Sequence, residues 1–174
     1  KSEEGVGSSF IIRIPFKIAS APIRVKEQKT EATIENLNLL LAEDNELNAE
    51  IAETLLSDEG AKITVVKNGL QAVKAFQENP CNYFDAILMD IMMPVMDGLA
   101  ATEAIRAAAR EDAKTIPIIA MTANAFQEDQ EQCYKAGMNA HLAKPLNMEK
   151  VIRTIYEQCS YKLSGRCRIK KPNL

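Results

Sequence analysis

At 174 residues, 47% hydrophobic and 26% charged, the chain has the composition of one globular domain with some extra length. A net charge of −3 argues against the basic footprint of a nucleic-acid binder. No apolar stretch reaches the roughly 20 residues a membrane helix needs, and no signal peptide opens the chain. It starts at Lys1 without a methionine and is expected to be a piece of a longer protein.

Three zones follow one another. In residues 1–19, Phe10, Ile12, Ile14 and Phe16 alternate with Ile11, Arg13 and Pro15, the period of a strand, and Pro15 sets it at a strand end or sheet edge. Residues 20–35 are mixed and charged without a sustained period and read as a linker. From residue 36 to 160 short apolar runs alternate with amphipathic stretches: 37–42 before 45–60, 62–66 before 69–79, 84–89 before 98–112, 116–121 before 126–137, and 140–143 before 147–159. In the first helix Leu47, Ile51 and Leu55 share one face, with Gly60 as a stop; in the second, Leu70, Val73 and Phe76 do. A basic tail, 161–174, closes the chain. Cys81, Cys133, Cys159 and Cys167 form no CxxC pair and read as reduced thiols of a cytoplasmic protein.

Five strand–helix units with continuously apolar strands call for a parallel sheet covered on both faces, an α/β doubly wound fold. In such sheets, sites lie beyond the carboxyl ends of the strands. The polar residues found there are Glu43 and Asp44 after the first strand, Asp90 after the third, Thr122 after the fourth and Lys144 after the fifth. Three converging carboxylates repel one another unless a cation sits among them, and Mg²⁺ suits a few carboxylates plus water and phosphate oxygens. An Asp so placed can act as a nucleophile toward phosphorus.

The motifs "AEDN", "LMDIMMPVMDG", "MTAN" and "LAKP", in this order at these strand ends, resemble the receiver domain of two-component response regulators. That resemblance implies a flavodoxin-like (βα)5 fold with strand order 2-1-3-4-5. It implies Asp90 as phosphoacceptor, Mg²⁺ held by Asp44, Asp90 and the Met92 carbonyl with Glu43 assisting, and Thr122 and Lys144 on the phosphoryl group. It also implies a cis peptide at Lys144-Pro145. Receivers usually carry a switch aromatic at the position of His141, which would work with Thr122; a histidine departs from that pattern. The implied partners are a phosphohistidine-bearing kinase or histidine phosphotransfer domain, with a weak homodimer as a further expectation. "GVGSSFIIRIPF" is similar to the last strand of a histidine-kinase ATP-binding domain, which points to a hybrid sensor kinase as the parent. The kinase's own histidine region and nucleotide boxes are absent from this segment.

Rival readings fit less well. A haloacid-dehalogenase-type phosphatase needs a second Asp two residues after the nucleophile, where this chain has Met92. A flavodoxin-like nucleotide or flavin binder needs glycines and amides after the first strand, where this chain has "AEDNE". A stand-alone response regulator and a phosphorylation-independent interaction module remain as alternatives.

Overall fold

In the computed structural model, which describes residues 2–3, 7–8, 13, 33–123 and 127–166, the five apolar runs form one parallel sheet. Its strands are β1 (Asn38–Ala42), β2 (Lys62–Val66), β3 (Ala86–Asp90), β4 (Ile118–Thr122) and β5 (Ala140–Ala143). They lie side by side as β2-β1-β3-β4-β5, the doubly wound order expected. The helices are α1 (Glu46–Asp58), α2 (Gly69–Glu78), α3 (Gly98–Ala107), α4 (Gln127–Ala136) and α5 (Met148–Arg166).

Successive strand residues point to opposite faces, and the core divides accordingly. Leu40, Ile87, Met89 and Ile118 pack with Phe76 of α2 and Ile105 of α3. Leu39, Leu41, Leu88 and Ile119 pack on the other face with Leu56 of α1 and Ile155 of α5. Four helices begin on side-chain caps that accept a free first-turn N–H, α5 among them, where Asn147 accepts Lys150 N at 3.0 Å. Asn45 bonds Asn48 N at 3.0 Å, Asn68 bonds Gln71 N at 2.9 Å and Asp97 bonds Ala100 N at 2.8 Å.

The structure departs from the sequence reading in four places. The third helix stops at Ala107, and Glu111–Lys114 forms a separate 3₁₀ turn, because the Arg110 side chain folds back onto the end of α2. The expected linker over 20–35 ends early: Ile34 is fully buried in the α1–α5 face of the core, and Asn36 N bonds Gly60 O at 2.9 Å. The stripe Leu47, Ile51 and Leu55 is exposed, while Ala49, Ala52 and Leu56 are the buried residues of α1. The last helix continues to Arg166, into the stretch read as tail.

Near the N-terminus Ser2–Glu3 pairs antiparallel with Gly7–Ser8. Apart from Arg13, the strand expected at 10–16 lies outside the described residues, as do most of the linker and residues 167–174. Among the described residues no helix is long and apolar enough to cross a membrane, and Cys81, Cys133 and Cys159 are free thiols.

Candidate functional site

Parallel register decides which side chains meet. Ala42 of β1 pairs with Met89 of β3, so the next residues outward, Glu43 and Asp90, come side by side. Asp90 pairs with Met121, which sets Thr122 one residue further along β4. Thr122 pairs with Ala143, and Lys144 follows immediately, its N–H bonding Thr122 O at 2.7 Å. The Lys144-Pro145 peptide is cis, as expected.

One carboxylate oxygen from each of Glu43, Asp44 and Asp90 lies within 4.8 Å of the others. Glu43 and Asp90 are buried and Asp44 is exposed. The Lys144 ammonium stands between the two buried acids, 2.6 Å from Glu43 Oε2 and 2.7 Å from Asp90 Oδ2. Burial pushes the Asp90 carboxyl above its ordinary range; Lys144 and the Met92 N–H oppose that, and the Glu43 charge adds to it. Burial alone would depress Lys144, but its bonds to Asp90 and Glu43 outweigh that and hold it above the usual ammonium value. One ammonium against three carboxylates leaves excess negative charge and a set of hard oxygen donors, which fits a small divalent cation.

The chain after Asp90 closes back beneath it. Met92 N donates to Asp90 Oδ1 at 3.3 Å, Met96 N to Pro94 O at 2.8 Å, and Gly98 N to Ile91 O at 3.0 Å. Val95, at the tip, holds φ at +69° and is 80% exposed. A Cβ on Gly98 would fall 2.1 Å from the Asp90 carbonyl oxygen, so only glycine lets α3 begin this close to the strand end.

Glu43 and Asp90 are thus brought into contact with Lys144, Asp44 lies within 4.8 Å of both acids, and Thr122 is buried at the end of the neighbouring strand. Met92 is 76% exposed, and its backbone N–H is the group that meets Asp90. His141 makes its contact elsewhere: it is half-buried in β5, with Nδ1 3.3 Å from the Tyr134 hydroxyl of α4. The sequence reading missed Asn48, whose amide donates to Glu43 Oε1 at 3.1 Å. The only hint was an asparagine one helical turn after an asparagine cap.

The response regulator receiver domain family matches residues 39–156. The chain belongs to that family. The receiver is 35% identical over 168 residues to "Probable histidine kinase 1" of Oryza sativa subsp. indica, covering 80% of this chain and 17% of that protein. It is 40% identical over 126 residues to "Hybrid signal transduction histidine kinase I" of Dictyostelium discoideum, covering 71% of this chain and 7% of that protein. The chain therefore spans only a small part of these relatives. Among solved structures it resembles the receiver domain of a Pseudomonas aeruginosa sensor histidine kinase, which has a magnesium ion coordinated in its active-site cleft. The TM-score is 0.65 at 42% identity, over 72% of this chain and 98% of that one. It also resembles a Saccharomyces cerevisiae complex between a histidine phosphotransfer signalling protein and the receiver domain of its downstream response regulator. There the TM-score is 0.65 at 27% identity, over 74% of this chain and 92% of that one.

Proposed function

We propose that Asp90 accepts a phosphoryl group from a phosphohistidine. A carboxylate oxygen attacks phosphorus, the O–P bond forms as the P–N bond breaks, and the imidazole nitrogen leaves with the bonding pair and takes a proton from solvent. Asp44, Asp90 and the Met92 carbonyl, with Glu43 assisting, are the residues that would hold Mg²⁺. That ion, when bound, neutralises charge on the phosphoryl oxygens. Lys144 Nζ and the Thr122 hydroxyl donate to the same oxygens, which is positioning and charge balance rather than covalent work. The observation that carries this reading is the contact between Lys144 and a buried Asp90 that has carboxylate oxygens of Glu43 and Asp44 within 4.8 Å.

The parent is, in this proposal, a hybrid sensor histidine kinase of which residues 1–19 are the C-terminal remnant of the ATP-binding domain. The donor is that kinase or a histidine phosphotransfer domain, met in the cytoplasm. Similarity to full-length histidine kinases supports the context, and likeness to a receiver in complex with a phosphotransfer protein supports the partner class. Phosphorylation then draws Thr122 toward Asp90, and the β5 region around His141 follows.

Intact-mass analysis after incubation with a small acyl phosphate and Mg²⁺ tests the assignment. One acid-stable, base-labile phosphate is expected on the wild type and none on Asp90→Asn. Equal labelling of the variant overturns the role of Asp90. Backbone NMR shifts with a beryllofluoride mimic test the switch: movement at Thr122 without movement at His141 removes His141 from it.

A further inference from the structure

We propose that Asn48 is a positioning residue for the metal-binding cleft and acts through Glu43; the proposal rests on the Mg²⁺ reading above. Asn48 is the third residue of α1, and its N–H is anchored by the Asn45 cap at 3.0 Å. Helical Cα–Cβ bonds tilt toward the N-terminus, so a short side chain at this position reaches back past the cap to the end of β1. There the Asn48 amide donates to Glu43 Oε1 at 3.1 Å, while Lys144 donates to Oε2 at 2.6 Å. The Glu43 backbone is pinned as well, its N–H bonding Val66 O at 3.0 Å. The carboxylate is therefore held from both sides, by one neutral donor and one charged donor.

The difference between those donors gives Asn48 its role. Lys144 is shared with Asp90, at 2.7 Å. Remove the amide, and Lys144 is the remaining side-chain donor to Glu43 among the described residues. The carboxylate then follows the ammonium, and the ammonium is drawn from Asp90 toward Glu43. An amide prevents this without adding a positive charge, which a lysine or arginine at the same place would set against the metal ion. Outer partners of this kind orient metal-site carboxylates, and their loss typically weakens metal binding 10–100-fold. Asn48 is exposed, so its substitution leaves the core untouched.

That exposure makes the test clean, because alanine is the better helix former. Asn48→Ala should lower the thermal midpoint of the metal-free protein only modestly, the gain in helix propensity offsetting part of the lost bond to Glu43, while calorimetric titration shows Mg²⁺ binding about tenfold weaker than wild type. In a Glu43→Ala background the same change should cost no more than about twofold, since residues acting through one another are not additive. Wild-type Mg²⁺ affinity in Asn48→Ala, or the full tenfold loss persisting without Glu43, overturns the proposal. Failure of the metal reading itself looks different. Wild type would then show no saturable Mg²⁺ binding, or binding that Asp44→Asn leaves intact, and both ideas would fall together.

Discussion

Arg110 and Asp112 form a two-pronged pair, with Nε on Oδ1 and Nη2 on Oδ2, each at 2.8 Å. The pair closes a junction between distant segments. The same guanidinium donates to the carbonyls of Phe76, Asn79 and Pro80 at the end of α2, and lies 4.1 Å over the Phe76 ring. Asp112 Oδ2 also accepts Asn82 N at 2.7 Å.

Asp112→Asn should therefore cost about 3 kcal/mol at pH 7, the scale for breaking a buried ion pair from one side. The Asp112 side chain is 1% exposed and that of Arg110 16%. Arg110 holds the Asp112 carboxyl far below its ordinary value of 3.8, against the effect of burial. For a depressed acid the stabilisation is complete above the unfolded value and drains away as pH falls below it. Urea midpoints should thus separate wild type from variant most at pH 7 and by a smaller margin at pH 3, where the unfolded carboxyl has begun to protonate and the folded one is still ionised. Equal separation at both would deny the pair its electrostatic role.

Ile34→Ala should destabilise by about 3 kcal/mol, the cost of a large-to-small change in a packed core. Ile34 is fully buried and packs with the same cluster as Leu37 and Leu56. Chemical denaturation checks it, and a loss below about 0.5 kcal/mol would return the residue to the linker.

Val95→Asn should stabilise by about 1 kcal/mol. A β-branched residue at φ +69° is strained, asparagine tolerates that region, and at 80% exposure little packing is lost. A lowered thermal midpoint would mean that the valine contributes a contact worth more than the strain it holds.

Asp90→Asn should raise stability by about 1 kcal/mol while abolishing phosphorylation. It removes one of three crowded carboxylates, and relief of a strained functional site commonly has this size. A clear loss of stability would mean that the bond to Lys144 outweighs the repulsion from Glu43 and Asp44.

The strands, and the meeting of Glu43, Asp44, Asp90 and Lys144 at one sheet edge, could be read from the sequence because both depend on local pattern. Apolar runs such as 86–89 mark buried parallel strands, and the residues just after them are carried to one edge. Arg110 and Asp112 were invisible because their partners lie about 30 residues away, at Phe76, Asn79 and Asn82. Ile34 sits alone among polar neighbours, with no period to mark it. For α1, periodicity identified an apolar face, but Leu47, Ile51 and Leu55 turned out to be the face away from the sheet. The face that is buried is the less apolar one, with small Ala49 and Ala52 beside Leu56.

The fit of Gly98 against the carbonyl oxygen of Asp90 has a mechanical consequence. With no room for even a methyl group between them, the end of β3 and the first turn of α3 form a joint without play. The hydrogen bond from Gly98 N to Ile91 O locks the same joint from the other side. Further along α3, Arg106 donates to Gly137 O at 2.9 Å and to Asn139 Oδ1 at 2.9 Å, so the same helix is tied at both ends. The end of β3 and the turn that leads into β5 are thus braced against one and the same helix.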